Sequence, residues 1–307
     1  MRQHRLALCR EHYLEWMPEQ TQRFIRKYHM FTPDERVLVA VSGGKDSLAL
    51  WDVLLRLGYQ ADGLYIHLGI DYSSGESYSS ESLSMVEGFV AEFWPTAHLE
   101  VVNIADLYGA TIPEATRISN RGKTKPCSVC GLVKRHVMNR VARDGGYAAL
   151  ATGHNLDDEV AVLMSNVLQW QTGYLARQAP VLPANQEGLA RKAKPFCRFY
   201  ERETAAYALL RGIDYVYEEC PHVAGSKTIY YKELLNQLEY DAPSAKLQFY
   251  LSFLRAKEKD GVFAQAEEQV ELNSCESCGQ PTTAPGRCAF CRLWDRVRAA
   301  TQPALME

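Results

Sequence analysis

Positions 42–47 of the chain read Ser-Gly-Gly-Lys-Asp-Ser, and these residue types suit the binding of an anion. Glycines let the backbone come close to a phosphate, and the N–H groups at the start of a helix point at it. The spacing matches neither the Walker A pattern nor the dinucleotide-binding pattern of three glycines. Because an apolar run precedes these residues and a helical pattern follows them, the sequence predicts a phosphate-binding loop.

Three cysteines have spacing and surroundings that suggest chemistry. Cys127 and Cys130 open a predicted helix, where the thiol pKa is lowered, and Cys220 lies far along the chain in a Glu-Cys-Pro-His sequence. Such a set suits either a redox relay or an iron–sulfur cluster with three protein ligands. A 4Fe-4S cluster normally takes four thiolates, so three would leave one iron open for sulfur chemistry. The alternative is a pair of buried cysteines and one unrelated cysteine.

Four further cysteines form the pattern C-x2-C-x9-C-x2-C in the tail: Cys275, Cys278, Cys288 and Cys291. Two such pairs supply the four soft ligands of a tetrahedral ion, so the pattern predicts a zinc ribbon. Near the start of the chain only Cys9 and His12 have ligand spacing, with His4 as the other candidate. Two ligands do not close a zinc site, and we predict none there. Cys197 has no partner at ligand spacing and is predicted to be buried.

The distribution of charge points to an anionic partner. Residues 117–143 carry eight Lys or Arg and no Asp or Glu, although the whole chain of 307 residues has a net charge of −3. Such a basic block indicates a polyanion or a phosphate site, or else a solvated helix face. No apolar run approaches the roughly 18 residues that span a bilayer, and the first residues lack the apolar core of a secretory signal. We therefore predict a cytoplasmic protein with no membrane partner and with reduced cysteines.

The elements that position these residues alternate between strands and helices. The apolar run Val37–Val41 predicts a strand buried on both faces, and similar patterns recur up to position 152. Alternation of this kind predicts an α/β fold with a parallel sheet and helices on both faces. Ligands of such sheets lie outside the carboxyl ends of the strands, where we expect His67 and the Gly153-His154 turn to flank a bound ligand. Residues 174–198 are predicted to form a long loop, and a short strand at 215–217 is predicted to lead to Cys220.

Four segments in this order resemble the TtuA/TtcA family of tRNA thiolases: SGGKDS, PCSVCGLVKR, GHNLDDE and ECP. The resemblance covers roughly residues 5–295. It implies the Rossmann-like parallel sheet of the PP-loop ATP pyrophosphatases (adenine nucleotide alpha hydrolase-like) with a C-terminal zinc ribbon. The ribbon and the PCSVCG sequence favour the TtuA branch, the tRNA 2-thiouridine synthetases. The implied domains are an N-terminal helical segment with a degenerate zinc module (1–34), the PP-loop thiolase domain (35–260) and the zinc ribbon (270–296).

The resemblance also implies roles for individual residues. A 4Fe-4S cluster maps to Cys127, Cys130 and Cys220, with Lys134 and Asp158 as further catalytic residues. ATP and Mg²⁺ map to the loop and the strand ends: Ser42, Gly43, Gly44, Lys45, Asp46, Ser47, His67, Gly153 and His154. Contacts to tRNA are predicted from the basic block: Arg117, Arg121, Lys123, Lys125 and Arg135. A carboxylate near Mg²⁺-ATP and a lysine near developing phosphate charge are what adenylyl transfer needs.

The predicted function is that of an ATP-dependent tRNA sulfurtransferase. ATP would adenylate a base carbonyl oxygen, and sulfur would displace AMP, giving 2-thiouridine. The sulfur donor could be a thiocarboxylated ubiquitin-like carrier protein, inorganic sulfide or a persulfide, and the family resemblance predicts a homodimer. Alternatives are a 2-thiocytidine-forming thiolase, another PP-loop ATP pyrophosphatase acting on a small molecule, and a non-catalytic zinc-ribbon RNA-binding protein. The sequence leaves open which tRNA nucleoside is modified.

Overall fold

A computed structural model describes residues 4, 6–121, 126–185, 188–223, 226–264 and 272–301. The strands are β1 (Arg36–Val41), β2 (Gln60–His67), β3 (Leu99–Asn103), β4 (Ala149–Thr152), β5 (Val181–Leu182), β6 (Arg191–Ala193), β7 (Asn273–Ser274) and β8 (Pro281–Thr282). The helices are α1 (Arg10–Lys27), α2 (Lys45–Arg56), α3 (Tyr78–Phe93), α4 (Ile104–Tyr108), α5 (Ile112–Ser119), α6 (Cys127–Asp144), α7 (Leu156–Leu168), α8 (Thr172–Arg177), α9 (Glu201–Arg211), α10 (Lys227–Asp241), α11 (Ala245–Asp260) and α12 (Ala289–Thr301).

The central sheet has six strands in the order β3-β2-β1-β4-β6-β5. Strands β3, β2, β1, β4 and β6 run parallel, and β5 pairs antiparallel with β6 at one edge. The chain moves outward from β1 to β3 and then returns to place β4 on the other side of β1. The strand order therefore reverses between β1 and β4, where open α/β sheets bind their ligands. This arrangement confirms the predicted α/β fold.

Both faces of the sheet are covered by helices, as the continuous apolar run of β1 predicts. Val37, Val39 and Val41 pack into a core that also contains residues of α1, α2, α3, α7, α9 and α11. Leu38 packs into a second core on the opposite face, with α5, α6 and α12. Alternate residues of one strand thus serve two cores, because successive side chains point to opposite faces of a sheet.

Two predicted elements differ from the structure. The 174–198 segment is not a plain loop, since it contains part of α8 and the short strands β5 and β6, which extend the sheet. The predicted strand at 215–217 is wrong: these residues are extended, but they pair with no strand. The Val216 N–H instead donates to the Gly43 carbonyl oxygen at 3.0 Å. An extended segment that hydrogen-bonds to a loop has the same residue pattern as a strand, so the sequence could not separate the two.

The cysteine-rich tail packs directly on the main body. Trp294 of α12 is 1% exposed and stacks on Tyr108 with ring centroids 4.8 Å apart. Phe290 stacks on His136 of α6 at 3.6 Å. Among the described helices, none is both long and apolar enough to cross a membrane.

Candidate nucleotide and thiol sites

The loop at 42–47 is held in shape by its own serines. Ser47 Oγ accepts the Ser42 N–H at 3.1 Å and donates to the Gly44 carbonyl oxygen at 2.9 Å. Gly44 is the residue that caps the start of α2, so the unpaired N–H groups of that helix open toward the loop. Gly43 has a φ of +76°, and a Cβ there would lie 2.5 Å from the Ser82 carbonyl oxygen. A larger residue is therefore excluded, and the backbone has the shape that an anion cradle needs, while phosphate binding by this loop stays a prediction.

Asp46 lies in this loop with its side chain partly buried, 25% exposed. Its Oδ1 accepts hydrogen bonds from Thr204 and from Asn155 Nδ2, the latter at 3.1 Å, and its Oδ2 lies 3.2 Å from Lys45 Nζ. Burial raises the pKa of Asp46, and the neighbouring Lys45 opposes that rise. A Cβ on Gly153 would come within 2.8 Å of the Asp46 backbone, so the predicted turn after β4 closes against the loop after β1.

A chain of ion pairs connects the loop to helices beyond it. Lys45 Nζ lies 2.8 Å from one oxygen of Glu201, and Lys232 Nζ lies 3.1 Å from the other. Lys232 also contacts Asp158 Oδ1 at 2.6 Å. Sequence reasoning identified Lys45, Asp46 and Asp158 but missed Glu201, Thr204 and Lys232. The last three lie in no recognisable motif, and only the fold brings them to the loop.

The two predicted histidines lie near the carboxyl ends of strands that flank β1. His154 is exposed, and its Nδ1 lies 2.8 Å from Thr152 Oγ1. His67 is half-buried, with its Nε2 3.5 Å from Ser80 Oγ. Both residues end up on the edge of the sheet that carries the loop, and their part in adenosine binding stays a prediction.

The structure brings the three predicted thiols into one region with Lys134. Cys127 is exposed at the start of α6, and its Sγ lies 3.6 Å from the carbonyl oxygen of His222, two residues after Cys220. Cys130 and Cys220 are half-buried against the same apolar core. Burial raises the pKa of Cys220, the nearby Cys130 raises it further and Lys134 lowers it. Although Cys220 does not end a strand, the extended segment before it places the thiol beside α6.

The four tail cysteines form a compact group suited to one metal ion. Their sulfurs all lie within 4.8 Å of one another, and the Cys275–Cys291 and Cys278–Cys288 pairs are both 3.8 Å apart. Tetrahedral bonds of about 2.3 Å to sulfur imply ligand separations of about 3.8 Å, so the group fits a single ion. His136 Nε2 lies 3.4 Å from Cys278 Sγ, and Gln280 donates to the His136 carbonyl oxygen at 3.1 Å. Helix α6 therefore carries Cys127 and Cys130 at its start and contacts the four-cysteine group through His136 about two turns further along.

Some side chains of the basic block are exposed, and others form hydrogen bonds or ion pairs within the protein. Arg117, Arg121 and Arg135 are exposed, as contacts to a polyanion require. Arg140 donates to the Tyr108 hydroxyl at 2.6 Å, and Arg143 pairs with its neighbour Asp144. Lys123 and Lys125, which were also predicted to contact tRNA, lie outside the described residues.

The remaining cysteines have different surroundings. Cys197 is fully buried, as predicted, and burial raises its pKa to about 12. Cys9 Sγ lies 3.1 Å from His12 Nδ1 on the surface. His4 pairs with Glu203 at 2.8 Å instead of joining them. The absence of a zinc ion at this end stays a prediction.

The strand order and the loop after β1 are those of the PP-loop fold class, here with one segment that contacts both this loop and Cys127. A tRNA-5-methyluridine(54) 2-sulfurtransferase from Thermus thermophilus is 53% identical over 297 residues, which cover 97% of this chain and 88% of that protein. Its counterpart from Pyrococcus horikoshii is 40% identical over 292 residues, covering 94% and 88% of the two chains. The chain therefore belongs to the family of tRNA 2-sulfurtransferases.

One solved structure supports the fold. The U34-tRNA thiolase NcsA from Methanococcus maripaludis, described with its 4Fe-4S cluster, matches with a TM-score of 0.69 at 22% identity and covers 82% of each chain. At that identity the likeness concerns the fold alone. No protein-family model matches the chain.

Proposed function

We propose that this protein is an ATP-dependent tRNA sulfurtransferase that replaces the 2-carbonyl oxygen of uridine at position 54 with sulfur. The names of the relatives support the substrate. The main observation behind the proposed chemistry is that one segment of the chain contacts both the loop at 42–47 and the Cys127 thiol. Its Val216 N–H bonds to Gly43 of the loop, and its His222 carbonyl oxygen contacts the Cys127 thiol. Activation by ATP and delivery of sulfur then take place side by side.

The residues of the loop serve the first half of the reaction. The base carbonyl oxygen attacks the α-phosphorus of ATP, and pyrophosphate leaves into the backbone cradle at 42–47. Asp46 and Asp158 are the carboxylates that would hold Mg²⁺, which prefers oxygen ligands and substrate phosphates. Lys45 and Lys134 are the cations placed to offset the negative charge that develops on the phosphates.

The thiols serve the second half. Sulfur attacks the activated carbon, and AMP leaves with the former carbonyl oxygen. Cys127, Cys130 and Cys220 would hold a 4Fe-4S cluster, which supplies an iron open to an incoming sulfur when bound. The thiocarboxylated carrier as donor, the homodimer, the cytoplasmic location, the tRNA contacts of the basic block and the three-part domain division remain predictions.

The direct test is the identity of the product. The purified protein, incubated with ATP, a sulfide source and tRNA lacking thiolation, is expected to convert one uridine derivative to its 2-thio form, detected by mass spectrometry of digested nucleosides. A tRNA in which the uridine at position 54 is replaced by cytidine is the matched control and should gain no sulfur. Thiolation of a cytidine, or of the control tRNA, would contradict the proposal.

We propose Zn²⁺ for the four-cysteine group, because the 3.8 Å sulfur separations suit one tetrahedral ion and are too short for the corners of a cluster. Replacing Cys288 with Ser is expected to release about one zinc ion per chain and to lower the thermal midpoint, since binding of a structural ion contributes to folding. Elemental analysis measures the ion. Cys197→Ala, which removes another buried thiol, should keep the zinc. A Cys288→Ser variant that contains as much zinc as the wild type would contradict the assignment.

A further inference from the structure

Lys232 lies outside every sequence motif, yet it contacts the carboxylates that surround the nucleotide loop. We propose that Lys232 is a positioning residue of the nucleotide site, which fixes the Asp158 carboxylate and, through Glu201, the amino group of Lys45. The inference rests on the proposed function, because it assigns Asp158 and Lys45 to the binding of Mg²⁺-ATP.

The first argument is that the two carboxylate oxygens of Asp158 have different partners. Its Oδ2 accepts the backbone N–H of Asn155 at 3.1 Å, which closes the capping box of α7. Its Oδ1 has one described partner, the Lys232 amino group at 2.6 Å. The cap therefore places one oxygen, and Lys232 sets the direction of the other. Because a carboxylate oxygen has two lone pairs, Oδ1 can hold the lysine and still accept a cation.

The second argument is the balance of charge. Three carboxylates, from Asp46, Asp158 and Glu201, share two lysines, Lys45 and Lys232. The charge of Asp158 is close enough to disfavour the ionised form of Asp46 and so to raise the pKa of Asp46, although burial is the larger cause. Without Lys232, one amino group would remain for three carboxylates. Asp158 would then turn toward solvent, and Glu201 would draw Lys45 away from the loop.

The third argument is the route of the chain. Glu201 and Thr204 open α9, the segment with Val216 and Cys220 follows, and α10 then brings Lys232 back to Asp158. One stretch of chain thus contacts Lys45, Asp46, Gly43, Cys127 and Asp158 in turn. The contact between Lys232 and Asp158 brings the end of this stretch back to the proposed nucleotide site. The side chain of Lys232 is 21% exposed, so most of it is buried, and a replacement has to keep its aliphatic volume, as Met does.

The test compares Lys232→Met, Lys232→Arg and Lys227→Met. Lys227 opens the same helix and is exposed, so its variant is the matched control. We expect Lys232→Met to weaken the binding of Mg²⁺-ATP, measured by calorimetry without tRNA, by about 10-fold or more, the scale of one charge-assisted hydrogen bond. Lys232→Arg is expected to recover most of the affinity because it restores the charge, and Lys227→Met should bind as the wild type does.

Comparing Lys232→Met with and without the Asp158 carboxylate distinguishes a positioning role of Lys232 from a general effect on stability. In an Asp158→Asn background, Lys232→Met should cause a clearly smaller loss of Mg²⁺-ATP affinity, because only its contact with Glu201 at 3.1 Å then remains. An equal loss in both backgrounds, or unchanged affinity in Lys232→Met, overturns the inference. A wild-type protein that binds Mg²⁺-ATP but thiolates no tRNA would instead refute the proposed function, so the two failures are distinguishable.

Discussion

An Asp46→Asn variant is expected to bind tRNA normally and to form AMP at least about 100-fold more slowly than the wild type, the scale on which a single electrostatic contact to a transition state acts. Asparagine keeps the shape of the side chain and can still accept the hydrogen bonds of Thr204 and Asn155. It loses the negative charge that would hold Mg²⁺ and that faces Lys45 at 3.2 Å. Release of pyrophosphate and AMP from ATP in the presence of tRNA measures the effect.

Asp52→Asn is the matched control for that result. Asp52 lies on the same helix and is fully buried, where it accepts hydrogen bonds from Trp94 Nε1 at 2.8 Å and the Tyr207 hydroxyl at 2.7 Å. The same substitution there removes the charge that pairs with Arg211 Nε at 3.2 Å, leaves a polar group partly unsatisfied and should cost about 1–3 kcal/mol of stability. The folded fraction of the Asp52 variant should keep its AMP formation. Wild-type turnover in Asp46→Asn contradicts the role of the loop.

The shape of the loop at 42–47 could be predicted from the sequence because its residues are consecutive. Gly43 has a φ of +76°, which favours glycine, and Gly44 caps the helix that follows it directly in the sequence. The same is true of the tail, where the spacing of Cys275 and Cys278 already places two sulfurs on one turn. The parallel sheet could be predicted as well, because β1 is apolar on both faces.

The partners of the loop could not be predicted, because they depend on how distant elements meet. Glu201 and Lys232 reach Lys45 and Asp158 only after α9 and α10 have packed beside the sheet. The extended residues before Cys220 have the pattern of a strand, but the edges beside β1 are already occupied by β2 and β4. Val216 hydrogen-bonds to the loop instead, and that contact holds the segment that leads to Cys220 against the loop.

Replacing any one of Cys127, Cys130 and Cys220 with Ala is expected to abolish thiolation of tRNA while leaving the binding of Mg²⁺-ATP close to that of the wild type. The loop keeps all its own contacts in these variants, since none of the three thiols bonds to residues 42–47 in the described structure. Anaerobically prepared wild type is expected to be brown and to contain iron, and each variant should lose both colour and iron. Product analysis by mass spectrometry and iron determination are the measurements.

The surroundings of the thiols distinguish a loss of sulfur chemistry in these variants from a loss of folding. Cys127 is exposed, so its loss removes little packing, and an inactive Cys127→Ala variant cannot be explained by unfolding. Cys197 is fully buried, and its thiol pKa of about 12 keeps it protonated at neutral pH. Cys197→Ala should therefore lower stability and leave iron and thiolation unchanged. If only the Cys127 and Cys130 variants fail while Cys220→Ala still thiolates tRNA, the transfer runs through the paired thiols without a three-cysteine cluster.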